Sequence, residues 1–315
     1  MDEKKPLLII SGPTAVGKTD LSLKICKELD GEVINADSMQ VYKGMDIGTA
    51  KIAPEERQGI KHHLIDICEP TENFDVVRFQ TEAKRCIDDI VNSGHIPVLV
   101  GGTGFYLQAV IYDIDFSSEE PDEKLRLELS EYADKYGEKA LHDRLLKVDA
   151  ASAKSIHPNN IKRVIRALEY YEKTHTPISA HNVEQRQKES PYTFLYAVLT
   201  LDRKTLYDRI DQRVDQMMDA GLVSEVKTLL DSGVTSDMTS MQGLGYKEIA
   251  GYLMGQYDLD EATRILKRDT RHFAKRQLTW YKREKKVTYF DKNEYESEDE
   301  LCKTIVERFN SERNV

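Results

Sequence analysis

The sequence predicts an α/β protein, a parallel sheet core interrupted by an all-helical insertion. Short apolar, β-prone runs alternate with helical stretches over the first ~110 residues. Residues 122–190 carry periodic Leu and Ala with no convincing strand, and an apolar run returns at Thr193–Leu201. The 315 residues fit two units, at ~150 residues per domain. The expected division is 1–115 with 192–315 for the core, and 116–191 for the insertion. The polar, acidic break Ser117-Ser118-Glu119-Glu120-Pro121 marks its start.

The first strand is Leu7–Ser11, followed by a glycine loop and a helix from Asp20 to Leu29. Glu32–Ala36 is the second strand, ending in Asp37-Ser38. His63–Ile67 is a third, Phe74–Asn92 a helix, and Ile96–Val100 a strand running into Gly101-Gly102-Thr103-Gly104. After the insertion, Asp202 caps a helix over Lys204–Ala220. Asp258 or Asp260 caps a long helix to about Glu284. Val287–Phe290 is an edge strand and Glu298–Phe309 a terminal helix. In open parallel sheets ligands bind beyond the carboxyl ends of the strands. The glycine loop, Asp37-Ser38 and Gly101–Thr103 are therefore expected on one rim.

The glycine loop is Gly12-Pro13-Thr14-Ala15-Val16-Gly17-Lys18-Thr19, with the spacing G-x-x-x-x-G-K-[ST] between a strand and a helix. Its backbone N–H groups turn in on a polyanion, and the helix adds its positive end. Lys18 supplies a point charge, and the Thr19 hydroxyl is a ligand for Mg²⁺. The core is thus P-loop NTPase-like, and a di- or triphosphate is its expected ligand. Val100 is followed by glycine where ATPases of this kind place a magnesium-binding Asp. Asp37, at another strand end, suits a magnesium ligand, a catalytic base or a turn cap.

The net charge is -10, yet it is polarised. Arg264–Lys286 holds ten Lys/Arg against Asp269 and Glu284, while Asp113–Glu138 holds ten Asp/Glu. Phosphate contacts are made by patches, so the basic stretch fits either a nucleic-acid grip or a solvated helix face. No apolar run approaches the ~20 residues of a membrane span. Met1–Pro6 leads straight into the first strand, without secretory signal character. Cys26, Cys68, Cys86 and Cys302 are scattered, which points to a reducing cytoplasm. His62 and His63 are adjacent and face opposite sides of a strand, a poor chelate.

Five ordered blocks carry a resemblance: Gly12–Thr19, Asp37–Lys51, Gly101–Tyr106, Arg166–Glu169 and Lys275–Trp280. Together they resemble the tRNA dimethylallyltransferase family, to about residue 285. Ile52-Ala53-Pro54 departs from the family's immediate proline after Ala50-Lys51. The resemblance implies transfer of a dimethylallyl group from dimethylallyl diphosphate to N6 of the adenosine at tRNA position 37, releasing diphosphate. It implies Asp37 as base or orienting group, with Ser38 beside it. It implies the Thr14 hydroxyl near the bridging oxygen, Thr103 near the target base, and Lys18 with Mg²⁺ on the diphosphate. Arg209 or Arg213 adds a cation there, or pairs with surface acids instead.

A flipped adenosine needs the anticodon stem-loop held. Met39, Gln40, Lys162, Arg163, Arg166, Lys275, Arg276, Gln277 and Trp280 are the candidates, with Arg126 a weaker one. Trp280, the single tryptophan, suits base stacking or a core anchor. A cytoplasmic monomer with tRNA as partner is expected. An adenylate isopentenyltransferase needs neither the insertion nor the basic stretch. A small-molecule kinase and an RNA-binding protein switched by nucleotide are the other readings.

Overall fold

The computed structural model describes residues 4–116 and 121–313. Ser117–Glu120 of the acidic break, and Met1–Glu3, lie outside them. The described chain forms two compact units, Ile111–Ser190 and the remainder.

The larger unit is built on six parallel strands. These are β1 (Lys5–Ser11), β2 (Gly31–Asn35), β3 (His62–His63), β4 (Ile96–Val100), β5 (Tyr192–Thr200) and β6 (Thr288–Asp291). They lie in the order β3-β2-β4-β1-β5-β6. Central β1 is buried on both faces. Leu8 and Ile10 join Leu195, Ala197 and Val98 in one core cluster, closed by Leu21, Ile25, Ile305 and Phe309. Those last four come from α1 (Lys18–Leu29) and α13 (Glu298–Arg313). Leu7 and Ile9 point the other way and are equally buried. A strand sealed on both sides is a rigid base for the loop that follows it.

The remaining helices of this unit are α2 (Val76–Asn92), α3 (Gly104–Ile111), α9 (Arg203–Asp219), α10 (Leu222–Asp231), α11 (Tyr246–Leu253) and α12 (Leu259–Tyr281). Asp202 caps α9 through Thr205 N–H, and Asp258, not Asp260, caps α12 through Glu261 N–H. Two features were not legible. β3 is two residues long rather than His63–Ile67, because Leu64 (φ 60°) and Asp66 (φ 56°) are left-handed and break the extended run. Residues 221–257 carry α10 and α11, which the pattern did not announce.

The smaller unit holds α4 (Glu123–Tyr136), α5 (Glu138–Val148), α6 (Ala150–Ser155), α7 (Ile161–Thr174) and α8 (Ile178–Gln185). Its core is Leu129, Ala133, Leu141, Leu145, Val164 and Leu168. Asp122, Asp149 and Asn160 cap α4, α6 and α7 with side-chain oxygens.

Candidate active site

The glycine loop leaves β1 through Gly12, whose φ of 143° and position suit glycine alone: a Cβ there would stand 2.6 Å from the Leu199 carbonyl oxygen. Ala15 (φ 64°) and Gly17 (φ 91°) are left-handed. Gly17 caps α1 without any side-chain bond, so the first-turn N–H groups stay open for an anion. Lys18 Nζ bonds the Gly12 and Pro13 carbonyls at 3.1 and 3.0 Å. Burial draws its ammonium down to about 8, with Asp37 opposing the shift and Arg213 adding to it.

The loop opens on a cavity of about 590 Å³, lined by Thr14, Lys18, Thr19, Asp20, Asp37, Gln40, Thr49, Lys51 and Arg213. A second cavity of about 280 Å³ shares Thr14, Asp37, Thr49, Arg213 and Phe273 with the first. Its other walls are more apolar: Met39, Ile210, Val214, Met217, Leu244 and Leu266, with Ser38, Thr103 and Arg276. The two cavities therefore meet at Thr14, Asp37 and Arg213. Arg213 comes from the inner side of α9, whereas Arg209 is exposed on that helix and lines neither cavity. Burial holds the Arg213 guanidinium below its ordinary value, against the pull of Asp20.

Asp37 is aimed by its neighbours. Its Oδ1 accepts the Met39 N–H at 2.9 Å, and its own N–H donates to Asn35 Oδ1 at 3.1 Å. Asn35 in turn donates to the Asp37 and Leu64 carbonyls. Thr103 Oγ1 accepts the Ser38 N–H at 3.1 Å, which ties the two strand-end loops together.

The loop through Asp46–Gly48 rests on Glu225 and Tyr246, which the motifs did not single out. The Glu225 carboxylate accepts the N–H groups of Asp46, Ile47 and Gly48 at 2.8–3.1 Å and the Tyr246 hydroxyl at 2.7 Å. Nothing local signals this, because the Asp46–Gly48 amides lie 177–179 residues from Glu225 and no periodicity links them. Lys51, whose side chain is 3% exposed, reaches Asp46, Asp66 and the Tyr42 carbonyl. A Cβ on Gly48 would lie 2.5 Å from the Tyr246 ring. Gly48→Ala is therefore expected to destabilise the protein by about 1–3 kcal/mol, read as a lower urea midpoint.

Several of the expected RNA-contact residues also make bonds within the protein. Gln277 is 7% exposed. Its Oε1 accepts the Thr14 N–H and its Nε2 donates to the Gly102 carbonyl, both at 2.9 Å. A signal for this was present: Thr270, Ala274, Gln277 and Tyr281 are spaced as one buried helical stripe. Trp280 packs over Gly104 and edge-on to Phe105, with its Nε1 buried. In the smaller unit, Arg126 grips fully buried Glu169 at 2.9 and 3.0 Å, and Arg166 bonds it at 3.1 Å. Burial pushes that carboxyl up, but Arg126, the Asp122 N–H and Arg166 outweigh it and hold it below the ordinary range. Both guanidiniums are tied to an internal acid. Lys162, Arg163, Lys275 and Arg276 are exposed. His63 pairs with Glu32 and His62 with the Ile60 carbonyl.

The parallel sheet, the glycine loop on its rim and the uncapped helix behind it define a P-loop α/β protein. Residues 40–284 match the IPP transferase family, and the chain belongs to it. It is 55% identical over 302 residues to a tRNA dimethylallyltransferase of Lachnoclostridium phytofermentans, across 96% of each chain. It is similar to the solved full-length tRNA isopentenylpyrophosphate transferase of Bacillus halodurans (TM-score 0.75, 46% identity, 99% of this chain and 97% of that one). It is also similar to a solved eukaryotic dimethylallyltransferase acting on tRNA (TM-score 0.77, 33% identity, 91% and 74%). No helix among the described residues is long and apolar enough to cross a membrane.

Proposed function

We propose that this chain transfers a dimethylallyl group from dimethylallyl diphosphate to N6 of the adenosine at position 37 of tRNA. The observation that carries the reading is the meeting of a polar cavity at the glycine loop, with Lys18 and Arg213 in its wall, and a more apolar cavity at Asp37 and Thr14. The larger cavity suits the diphosphate, held by the open N–H groups of α1, Lys18 and Arg213. The smaller suits the prenyl chain and the incoming base, beside Ser38 and Thr103.

An aromatic amine is a weak nucleophile, since its lone pair is delocalised. Asp37 at the junction orients N6 and takes its proton as the C–N bond forms. Electrons of the breaking C–O bond move onto the diphosphate, where Lys18, Arg213 and the Thr14 side chain oppose the growing charge. Thr19 lies on the cavity wall with Asp20 and Asp37. Among the described residues no group of three or more acidic, His or Cys side chains is arranged to hold a metal ion. This donor set fits a Mg²⁺ carried mainly by diphosphate oxygens and water, with Thr19 as its protein ligand. The ion would add positive charge against the leaving group.

The base must leave the anticodon-loop stack, at a cost of a few kcal/mol, so the stem-loop needs a grip. Lys162 and Arg163 stand in the first turn of α7, where the helix dipole disfavours cations. Their position makes sense against an external anion. Lys275 and Arg276 offer a second cationic edge on α12. Lys275→Ala with Arg276→Ala is expected to weaken tRNA binding and to reduce the salt slope by roughly one to two. Binding measured from low to moderate salt checks it.

The function is tested by incubating the protein with dimethylallyl diphosphate, unmodified tRNA and Mg²⁺ and assaying isopentenyladenosine. Product on free AMP but not on tRNA would overturn the reading. A cytoplasmic, monomeric enzyme is part of the same proposal.

A further inference from the structure

The basic helix α12 has an inner face as well as an outer one. Gln277, Trp280 and Tyr281 are spaced i, i+3 and i+4, and so share one side. Gln277 joins the Thr14 N–H to the Gly102 carbonyl, and Trp280 lies over Gly104. The Tyr281 hydroxyl sits 2.8 Å from Ser11 Oγ. A primary amide accepts and donates from the same end. Gln277 thereby links two loops that otherwise belong to separate strand ends.

We infer that Gln277 is a positioning residue for the transfer, a two-bond staple that sets the donor loop at Thr14 against the acceptor loop at Thr103. This rests on the proposed function. The reaction keeps its balance: adenine N6 bonds to donor C1, the C1–O pair leaves with the diphosphate, and the proton goes to Asp37. Gln277 touches none of those atoms. It acts on their spacing, where a misplacement of about 1 Å can cost ~10²-fold in rate. The neighbouring glycine carries the mark of the staple. A Cβ on Gly102 would lie 2.3 Å from Gln277 Nε2, while its next nearest atoms stand at 3.5 Å. The glutamine amide alone excludes alanine there.

The test compares Gln277→Met, Gln277→Glu, Gln277→Ala, Gly102→Ala and the double variant Gly102→Ala/Gln277→Ala. Three quantities are read: the single-turnover rate at saturating tRNA and donor, the tRNA Kd with its salt slope, and hydrogen exchange at the Thr14 amide. Gln277→Met is expected to slow the single turnover by about 10–10²-fold, with tRNA Kd and salt slope unchanged and Thr14 exchange faster. Gln277→Glu keeps the acceptor and so keeps Thr14 protected, but loses the Gly102 bond and is slow. Gly102→Ala is slow as well, and adding Gln277→Ala to it costs no more than Gln277→Ala alone.

A normal single-turnover rate in Gln277→Met overturns the inference. So does weakened tRNA binding with an unchanged rate, which would return Gln277 to the RNA face. If the wild-type protein transfers nothing to tRNA, the functional reading fails by itself. The Thr14 amide still reports on the staple in that case, and unchanged exchange in Gln277→Met would dismiss it.

Discussion

Asp37→Asn slows the transfer step by about 10²–10⁴-fold and leaves diphosphate binding largely intact. The amide still accepts the Met39 N–H, so the turn that carries it survives. What disappears is a group able to take the N6 proton. Rapid-quench turnover with bound tRNA reads the first effect, and calorimetric titration with inorganic diphosphate reads the second. A near-normal rate in Asp37→Asn would remove the residue from the proton transfer and leave it a turn former.

Lys18→Met has the second large effect, with opposite signs on function and stability. A hydrogen bond to a charged group is worth about 1.5–3 kcal/mol, so donor affinity falls roughly 10–10²-fold. The free protein becomes more stable, because an ammonium drawn down to about 8 is one that the fold disfavours. The direction with pH follows from proton counting. Between about 8 and its ordinary 10.5 the unfolded chain holds a proton at Lys18 that the folded chain has lost. Wild-type stability therefore rises with pH across that window relative to Lys18→Met, and the penalty is fully present below it. Urea midpoints of both proteins from neutral to strongly alkaline pH check this. Diphosphate needs the charged lysine, so its affinity falls as pH rises through about 8.

The glycine loop, Asp37 and the Gly101–Gly104 turn were legible because each is a local device at the end of an apolar strand. A strand, a loop and a helix need no distant partner to be recognised. The inward bonds of Gln277 are hidden in the sequence because it sits inside the run Lys275–Arg276–Gln277, where charge pattern masks helical phase. Its inward position follows only when Thr270, Ala274 and Tyr281 are counted with it. The pairing of Arg126 and Arg166 with Glu169 is hidden for the converse reason. Their composition suggests phosphate, yet a single buried acid, Glu169, engages both. Glu225 lay beyond reach altogether, since its role exists only where α10 meets the turn at Asp46–Gly48.

The hydrogen bonds around Asp37 have one more consequence. Its carboxylate is held by the Met39 N–H and its backbone by Asn35, within five consecutive residues. The entropy of aiming the proton acceptor is therefore lost once, during folding, and not again at each encounter with tRNA. The acceptor stands ready before its substrate arrives, so what tRNA binding must still organise is the adenine.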